Sequence, residues 1–176
     1  MARKARMPTQ RASHVAGEPP EDEDDPVIRL APIDAANRKA VLALKLGDDQ
    51  QDLVEDNAGS LREARHDDDA VPRAVVLGER VVGFLMYDAS AYDEALLYRF
   101  MIDLKEQGRG YGRAALHALV REVQSLGHAR DIIVHYMPEN AGARRLYLGF
   151  GFVEEGEDED GEIIARLPLS RKKNRK

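Results

Sequence analysis

The 176-residue sequence contains no cysteine. A disulfide framework, a thiolate metal site and a cysteine nucleophile are therefore all excluded. Long apolar runs are missing too, since no uninterrupted stretch approaches the roughly 20 residues that a helix needs to cross a bilayer. The sequence has no internal repeat, and its length favours one domain with its own core. We therefore expect a soluble, cytoplasmic, single-domain protein that does not associate with membranes.

Large apolar residues are almost missing from residues 1–26, where a basic stretch passes into an acidic one. Such a segment cannot bury enough apolar surface to fold, so we expect it to be disordered. It lacks the apolar stretch of a signal peptide and has little of the amphipathic pattern of a transit peptide. Residues 170–176 form a second, strongly basic tail. One folded domain is thus predicted over residues 27–169.

The predicted domain is acidic once the tails are set aside. Residues 27–169 contain 17 basic and 26 acidic residues, which gives a net charge of −9. A surface of this sign repels phosphate backbones and attracts cations, so it argues against nucleic acid as the main ligand. A merely solubilising acidic surface would have the same composition. Anchoring of the domain to nucleic acid or an anionic surface by its basic tails is a third, less favoured reading.

Hydrophobic patterning predicts a mixed succession of strands and helices. The predicted strands cover residues 27–30, 73–77, 81–87, 95–103, 130–135, 152–154 and 162–169. The predicted helices cover residues 34–46, 50–65 with a break at 57–60, 111–126 and 140–148. In the helix over 111–126, one apolar stripe consists of Leu116, Leu119, Val120, Val123 and Leu126.

The order of these elements predicts an α/β fold of mixed α+β character. A strand, a helix and a strand follow one another across residues 95–135, which implies a right-handed crossover and a parallel strand pair. Short turns at residues 78–80 and 160–161 imply hairpins with antiparallel neighbours. A twisted mixed sheet of about six to seven strands, with helices on both faces, satisfies both requirements.

The densest motif runs from Gln107 to Gly112, with the sequence Gln-Gly-Arg-Gly-Tyr-Gly, between a strand and the predicted helix over 111–126. Glycines at alternate positions allow backbone N–H groups to converge, and the helix adds its positive end. These features predict a diphosphate site with Arg109 as a nearby cation. The motif is neither a G-x-G-x-x-G fingerprint, because residue 113 is arginine, nor a P-loop. An ordinary strand-to-helix turn is the alternative.

A second motif lies on the predicted helix over 140–148. Its residues Ala143, Leu146, Tyr147 and Phe150 are spaced i, i+3, i+4 and i+7, so Tyr147 falls on the buried stripe and its hydroxyl must find a partner. Two interpretations remain open for this tyrosine. It is either a core residue with a satisfied hydroxyl or an acid catalyst.

The two motifs together resemble the GNAT N-acetyltransferases, over most of residues 27–169. The resemblance is carried by residues 99–103 and 107–112 and by Asn140, Ala143, Leu146, Tyr147, Gly151 and Phe152. Within that family the sequence is most similar to the spermine and spermidine (diamine) acetyltransferases, through residues 42–45, 49–50, 57–61, 82–87 and 160–162. It departs from them at Leu53, where an aromatic residue is expected, and at the small pair Ala58-Gly59.

The resemblance implies an acetyl-CoA-dependent N-acetyltransferase that modifies a primary amine of a small cationic substrate, such as spermidine or spermine. In this family two parallel strands splay apart, here 95–103 and 130–135, and the pantetheine arm of the cofactor fills the gap. Tyr147 would protonate the departing sulfur. The implied cofactor-binding residues are Met101, Ile102, Asp103, Gln107, Gly108, Arg109, Gly110, Tyr111, Gly112, Asn140 and Ala143.

The acceptor amine poses the harder chemical problem. An alkylammonium has a pKa of about 10.4, so its deprotonation near pH 7 costs roughly 4 to 5 kcal/mol. A base or a water chain should therefore line the acceptor site, with carboxylates that bind the rest of a polycation. The candidate bases are Asp49, Glu55, Asp88 and Glu94, and the expected substrate-binding residues are Asp49, Gln50, Glu55 and Tyr87.

Some features of the sequence support no assignment. His135 lies beside the expected cofactor gap, but the sequence pairs it with no second ligand or nucleophile, and we expect no metal site. The sequence leaves open whether the protein forms a homodimer. Alternative acceptors are an aminoglycoside, an amino acid or a protein lysine, and an alternative of another class is a non-catalytic CoA-binding module.

Overall fold

A computed structural model describes residues 26–48, 50 and 56–170. The segments predicted to be tails, 1–26 and 170–176, lie outside the described residues except for Pro26 and Ser170. The strands are β1 (Ile28–Pro32), β2 (Ala70–Leu77), β3 (Arg80–Asp88), β4 (Glu94–Ile102), β5 (Asp131–Tyr136), β6 (Val153–Glu157) and β7 (Ile163–Pro168). The helices are α1 (Arg38–Ala43), α2 (Asn57–Glu63), α3 (Tyr111–Leu126) and α4 (Ala141–Phe150), with a 3₁₀ turn at Leu104–Glu106.

These strands form one sheet in the order β1-β2-β3-β4-β5-β7-β6. The central pair β4 and β5 is parallel, and all the other neighbouring pairs are antiparallel. Alternation along β3 buries Phe84 and Met86 in a core shared with α1 and α2, and Leu85 and Tyr87 in a core shared with α3 and α4. The predicted mixed sheet with helices on both faces is confirmed. Among the described helices, none is both long and apolar enough for a membrane span.

The parallel pair β4–β5 comes apart along its length. Hydrogen-bonded register runs from Glu94↔Asp131 to Leu97↔Val134 and stops there. Yet β4 continues to Ile102 and β5 to Tyr136. The predicted splayed central pair is therefore confirmed, and it leaves a gap between the two strand ends.

Helix α3 has the predicted bounds. Glycines in left-handed conformation, Gly110 with φ +80° and Gly127 with φ +80°, stand at its two ends. Four of the five residues of the predicted apolar stripe are buried, but Leu126 is 45 % exposed. Leu126, the last residue of the helix, therefore shares the stripe but not the burial of the other four.

The first two helices differ from their predicted bounds. Leu44 is extended (φ −61°, ψ 143°), so α1 ends before Gly47. Residues 57–60, predicted as a break, form the first turn of α2, because the Asp56 side chain accepts a hydrogen bond from the Gly59 N–H at 2.6 Å and caps that turn. The rest of the predicted segment before Asp56, apart from Gln50, lies outside the described residues.

Candidate active site

A cleft of about 380 Å³ opens at the gap between β4 and β5. The end of β4, the loop into α3, the first turn of α3 and helix α4 form its walls. Most of the sequence-predicted site residues meet here. The cleft is lined by Met101, Ile102, Gln107, Gly108, Gly110, Tyr111, Gly112, Asn140, Ala143 and Tyr147 from the predicted set, and by Gln50 from the expected substrate residues.

The glycine loop has the conformation that an anion cradle needs. Gly108 (φ +73°) and Gly110 (φ +80°) occupy the left-handed region, which a side chain makes costly. No side chain caps the N-terminus of α3, and the first N–H groups of any helix lack intrahelical partners. A Cβ at Gly112 would lie 3.3 Å from Leu146 Cδ2, so glycine also allows α3 to approach α4 closely. The loop can therefore offer several N–H groups and a helix N-terminus to a phosphate.

Tyr147, on α4, lines the same cleft. Its side chain is only 7 % exposed and its ring packs at 5.5 Å from Tyr136 and 5.3 Å from Phe152, centroid to centroid. Burial, with a smaller contribution from Tyr136, raises the pKa of the Tyr147 phenol well above its usual value. Among the described residues its hydroxyl has no hydrogen-bond partner. The phenol therefore stays protonated near neutral pH and can donate to a group bound in the cleft.

Comparison with known proteins settles the family. The family model described as "Acetyltransferase (GNAT) family" matches residues 38–152, which include the splayed strands, the glycine loop and Tyr147. The chain belongs to the GNAT acetyltransferase family. It is an N-acetyltransferase, and enzymes of this family use acetyl-CoA as the acetyl donor.

Two relatives of this GNAT protein are named as acetyltransferases of spermine or spermidine. The spermine/spermidine N(1)-acetyltransferase of Bacillus subtilis (strain 168) is 32 % identical over 145 residues, which are 78 % of this chain and 95 % of that protein. The probable spermine N(1)-acetyltransferase of Bacillus subtilis subsp. natto has the same identity and coverage.

Solved GNAT structures share the fold. The GNAT domain of S. lividans PAT superposes with a TM-score of 0.65 at 21 % identity, covering 81 % of this chain and 89 % of that one. The PaiA N-acetyltransferase of Thermoplasma acidophilum, solved in complex with coenzyme A, has a TM-score of 0.63 at 12 % identity and covers 80 % of this chain and 98 % of that one. At such identities the likeness concerns the fold alone.

Two of the predicted cofactor residues do not line the cleft of this GNAT domain. The Asp103 carboxylate accepts hydrogen bonds from the backbone N–H groups of Lys45 (2.8 Å) and Lys105 (3.3 Å), and its own N–H donates to the Val82 carbonyl at 2.9 Å. Asp103 therefore shapes the loop. Arg109 is exposed, with Nη1 3.3 Å from a carboxylate oxygen of Glu106.

A glutamine pair joins the predicted cofactor and substrate sides. Gln107 Nε2 donates to the Ile102 carbonyl and to Gln50 Oε1, both at 3.0 Å. The Gly47 N–H donates to the same Gln50 oxygen at 3.3 Å. The segment after α1 is thus fastened to the glycine loop, and both glutamines line the cleft.

The structure does not bring the other expected substrate residues to the cleft. Tyr87 is buried in the core with α3, where its hydroxyl donates to Glu122 Oε1 at 2.7 Å. Asp88 accepts a hydrogen bond from the Ser90 N–H at 2.6 Å, and Glu94 lies 3.4 Å from Arg166. Neither carboxylate lines the cleft. The remaining candidates, Asp49 and Glu55, lie outside the described residues, as does Leu53.

One pairing was missed in the sequence. The sequence paired His135 with no second ligand or nucleophile, whereas in the structure its Nδ1 lies 3.0 Å from Asp158 Oδ2 in the turn between β6 and β7. Glu162 belongs to the same cluster, in which the polar atoms of the three side chains lie within 4.8 Å of one another. The pairing depends on β7 lying next to β5, between β5 and β6, and no local sequence signal specifies that order.

Proposed function

We propose that this GNAT enzyme transfers the acetyl group of acetyl-CoA to a primary amine of a polyamine such as spermidine or spermine. One observation carries the proposal: the glycine loop and Tyr147 line a single cleft, together with the end of β4 that has no partner in β5. The acceptor class is supported by the 32 % identity to a spermine/spermidine acetyltransferase. It is supported also by the net charge of −9 over residues 27–169, which favours a cationic ligand.

The residues of the cleft fit a CoA thioester. The loop from Gly108 to Gly112 would bind the diphosphate through backbone N–H groups at the positive end of α3. Beyond Leu97 the edge of β4 has no partner in β5, so the backbone groups of alternate residues that face this edge can pair with the extended pantetheine arm. Asn140 lines the far wall, where it caps α4 by accepting from the Ala143 N–H at 3.0 Å.

Tyr147 is our candidate for the acid. When the amine nitrogen attacks the thioester carbon, the carbon–sulfur bond breaks and a thiolate leaves. A free thiol has a pKa of about 8.5, so proton donation to the sulfur assists departure without providing the whole acceleration. The buried phenol of Tyr147 holds its proton near neutral pH and can make that donation. Its neighbour Tyr136 is engaged elsewhere, because its hydroxyl donates to Glu154 Oε1 at 2.8 Å.

A panel of amines tests the acceptor class. The enzyme is assayed with acetyl-CoA by thiol release against spermidine, spermine, an aminoglycoside, neutral amino acids and a lysine peptide. We expect the highest kcat/KM with the polyamines, because the acidic domain attracts a second and third ammonium group. High salt should lower this preference by screening those charges. A higher kcat/KM for a neutral amino acid or for the peptide would contradict the polyamine assignment.

A further inference from the structure

Strand β5 carries a histidine at the end where the parallel pair comes apart. His135 is the first residue of β5 after its pairing with β4 ends at Val134. Val134 and Tyr136 are buried in the core with α3 and α4. Because successive side chains of a strand point to opposite faces, His135 projects to the other face of the sheet. There it remains 31 % exposed, so a ligand can reach it.

His135 also adjoins a residue that packs against the proposed acid. The ring of the next residue, Tyr136, packs 5.5 Å from the ring of Tyr147. His135 does not itself line the cleft, but it adjoins Tyr136 and projects to the face of β5 opposite the one that packs against Tyr147. A thioester that reaches Tyr147 from the α4 side can meet an amine that enters from the side of His135.

Asp158, the partner of His135, determines which ring nitrogen of the neutral imidazole carries the proton. Asp158 Oδ2 lies 3.0 Å from Nδ1, and Asp158 Oδ1 accepts from the N–H groups of Asp160 and Glu162, both at 2.9 Å. The Asp158 side chain is only 13 % exposed. Burial by itself raises the pKa of Asp158, but the hydrogen bonds from His135, Glu162 and Asp160 outweigh it and hold the pKa below its usual value. A carboxylate facing Nδ1 selects the Nδ1–H tautomer of the neutral ring, which leaves the lone pair on Nε2.

We propose that His135 is the base that deprotonates the acceptor ammonium and that Asp158 is its positioning residue. The Glu162 carboxylate, within 4.8 Å in the same cluster, adds a negative charge that attracts the ammonium. This inference rests on the proposed function, since it requires transfer to an amine that is protonated at neutral pH.

Two protons leave the acceptor nitrogen during the transfer. The ammonium gives one proton to His135 Nε2, which releases it to solvent. The freed nitrogen pair attacks the thioester carbon, the carbon–sulfur bond breaks, and the thiolate takes the Tyr147 phenol proton. The second proton of the amine leaves through water and restores the phenol. The products are the acetamide and the CoA thiol, with net release of one proton.

The test replaces His135 by glutamine and varies the pKa of the acceptor amine. With spermidine, His135→Gln should lower kcat/KM by about 10²- to 10⁴-fold, as expected for loss of a general base. With an amine that is already neutral at the assay pH, such as trifluoroethylamine, the loss should shrink towards none. A merely structural role would lower both rates alike. The matched control is His128→Gln, whose ring nitrogen Nε2 lies 2.8 Å from the Ala89 carbonyl oxygen; it should keep the wild-type rate.

A second variant tests the positioning residue. In Asp158→Asn the amide oxygen keeps the bonds from Asp160 and Glu162, but the amide nitrogen faces Nδ1 and forces the proton onto Nε2. We expect a loss of about 10²-fold or more in kcat/KM with spermidine and again little loss with the neutral amine. Asp88→Asn, which alters a similar turn-capping carboxylate outside the cleft, should keep the wild-type rate.

Four results would overturn the inference. A wild-type enzyme that acetylates no amine would remove the proposed function and this inference with it. An active wild type with an undiminished His135→Gln variant, or with equal losses for both classes of amine, would remove this inference alone. A wild-type rate that EDTA abolishes and Zn²⁺ restores would show that the cluster binds a metal instead; we expect EDTA to leave the rate unchanged.

Discussion

Replacing Gly110 by alanine tests the glycine loop, and the chain contains a matched control for it. Gly110 (φ +80°, ψ −2°) and Gly127 (φ +80°, ψ −6°) stand at the two ends of α3 in the same left-handed conformation. An alanine Cβ meets no steric obstacle at either site, since the nearest atom at Gly110 is Pro26 Cδ at 3.8 Å and none lies within 4 Å at Gly127. Both replacements should therefore cost about 1 to 2 kcal/mol of stability through backbone strain alone.

The two variants should differ in CoA binding. Relief of the strain at Gly110 rotates the N–H groups that would bind the diphosphate, and a hydrogen bond to a charged group contributes about 1.5 to 3 kcal/mol. Loss of one such bond raises the Kd for CoA about 10- to 100-fold. Gly127 lies at the far end of the 16-residue helix, so Gly127→Ala should bind CoA as the wild type does.

Urea unfolding measures the stability of each variant, and isothermal titration calorimetry measures its affinity for CoA. The reasoning requires similar losses of stability together with weaker CoA binding in Gly110→Ala only. It is refuted if Gly110→Ala and Gly127→Ala bind CoA equally well. Equal weakening in both variants would refute it too, because the effect would then be general to α3.

Other substitutions test the fold around the site. Gly83→Ala should destabilise the protein by about 1 to 3 kcal/mol or more in urea unfolding. The reason is that its Cβ would lie 2.5 Å from the Met101 carbonyl oxygen and 2.8 Å from Ile102 Cδ1. An unchanged unfolding midpoint would contradict this close packing. Asp158 should contribute stability that is present above the ordinary carboxyl pKa of about 3.9 and lost as the pH falls through its lower folded value. Unfolding of wild type and Asp158→Asn between pH 7 and pH 2 should therefore converge at low pH, and a constant difference would speak against it.

Much of the fold can be predicted from the sequence, in the segments where the local signals agree. Glycines bracket the periodic stripe of α3, so its bounds could be predicted to the residue. The parallel pair follows from a strand, helix and strand in succession, because such crossovers are right-handed and place the strands in one sheet. The exposed Leu126 shows the limit of periodicity, which gives the direction of a side chain around the helix but not where the neighbouring layer ends.

The residues of the site could be predicted from the sequence only in part, because a motif does not show which face of a strand contacts the ligand. Tyr87 belongs to a segment that resembles the polyamine enzymes, yet alternation along β3 turns it into the core beside Glu122. The pairing of His135 with Asp158 spans 23 residues and requires β7 to lie between β5 and β6. Such an order of strands is set by the packing of the whole sheet.

The rate of acetyl transfer by Tyr147→Phe tests the central claim most directly, because it asks whether the phenol of α4 acts on a thioester held in the gap. Tyr87→Phe is the control, since it removes a buried phenol hydroxyl outside the cleft. With acetyl-CoA and spermidine, kcat should fall by about 10²-fold or more in Tyr147→Phe, while its affinity for CoA and the rate of Tyr87→Phe stay at the wild-type values. Full activity of Tyr147→Phe across the pH range would contradict the account.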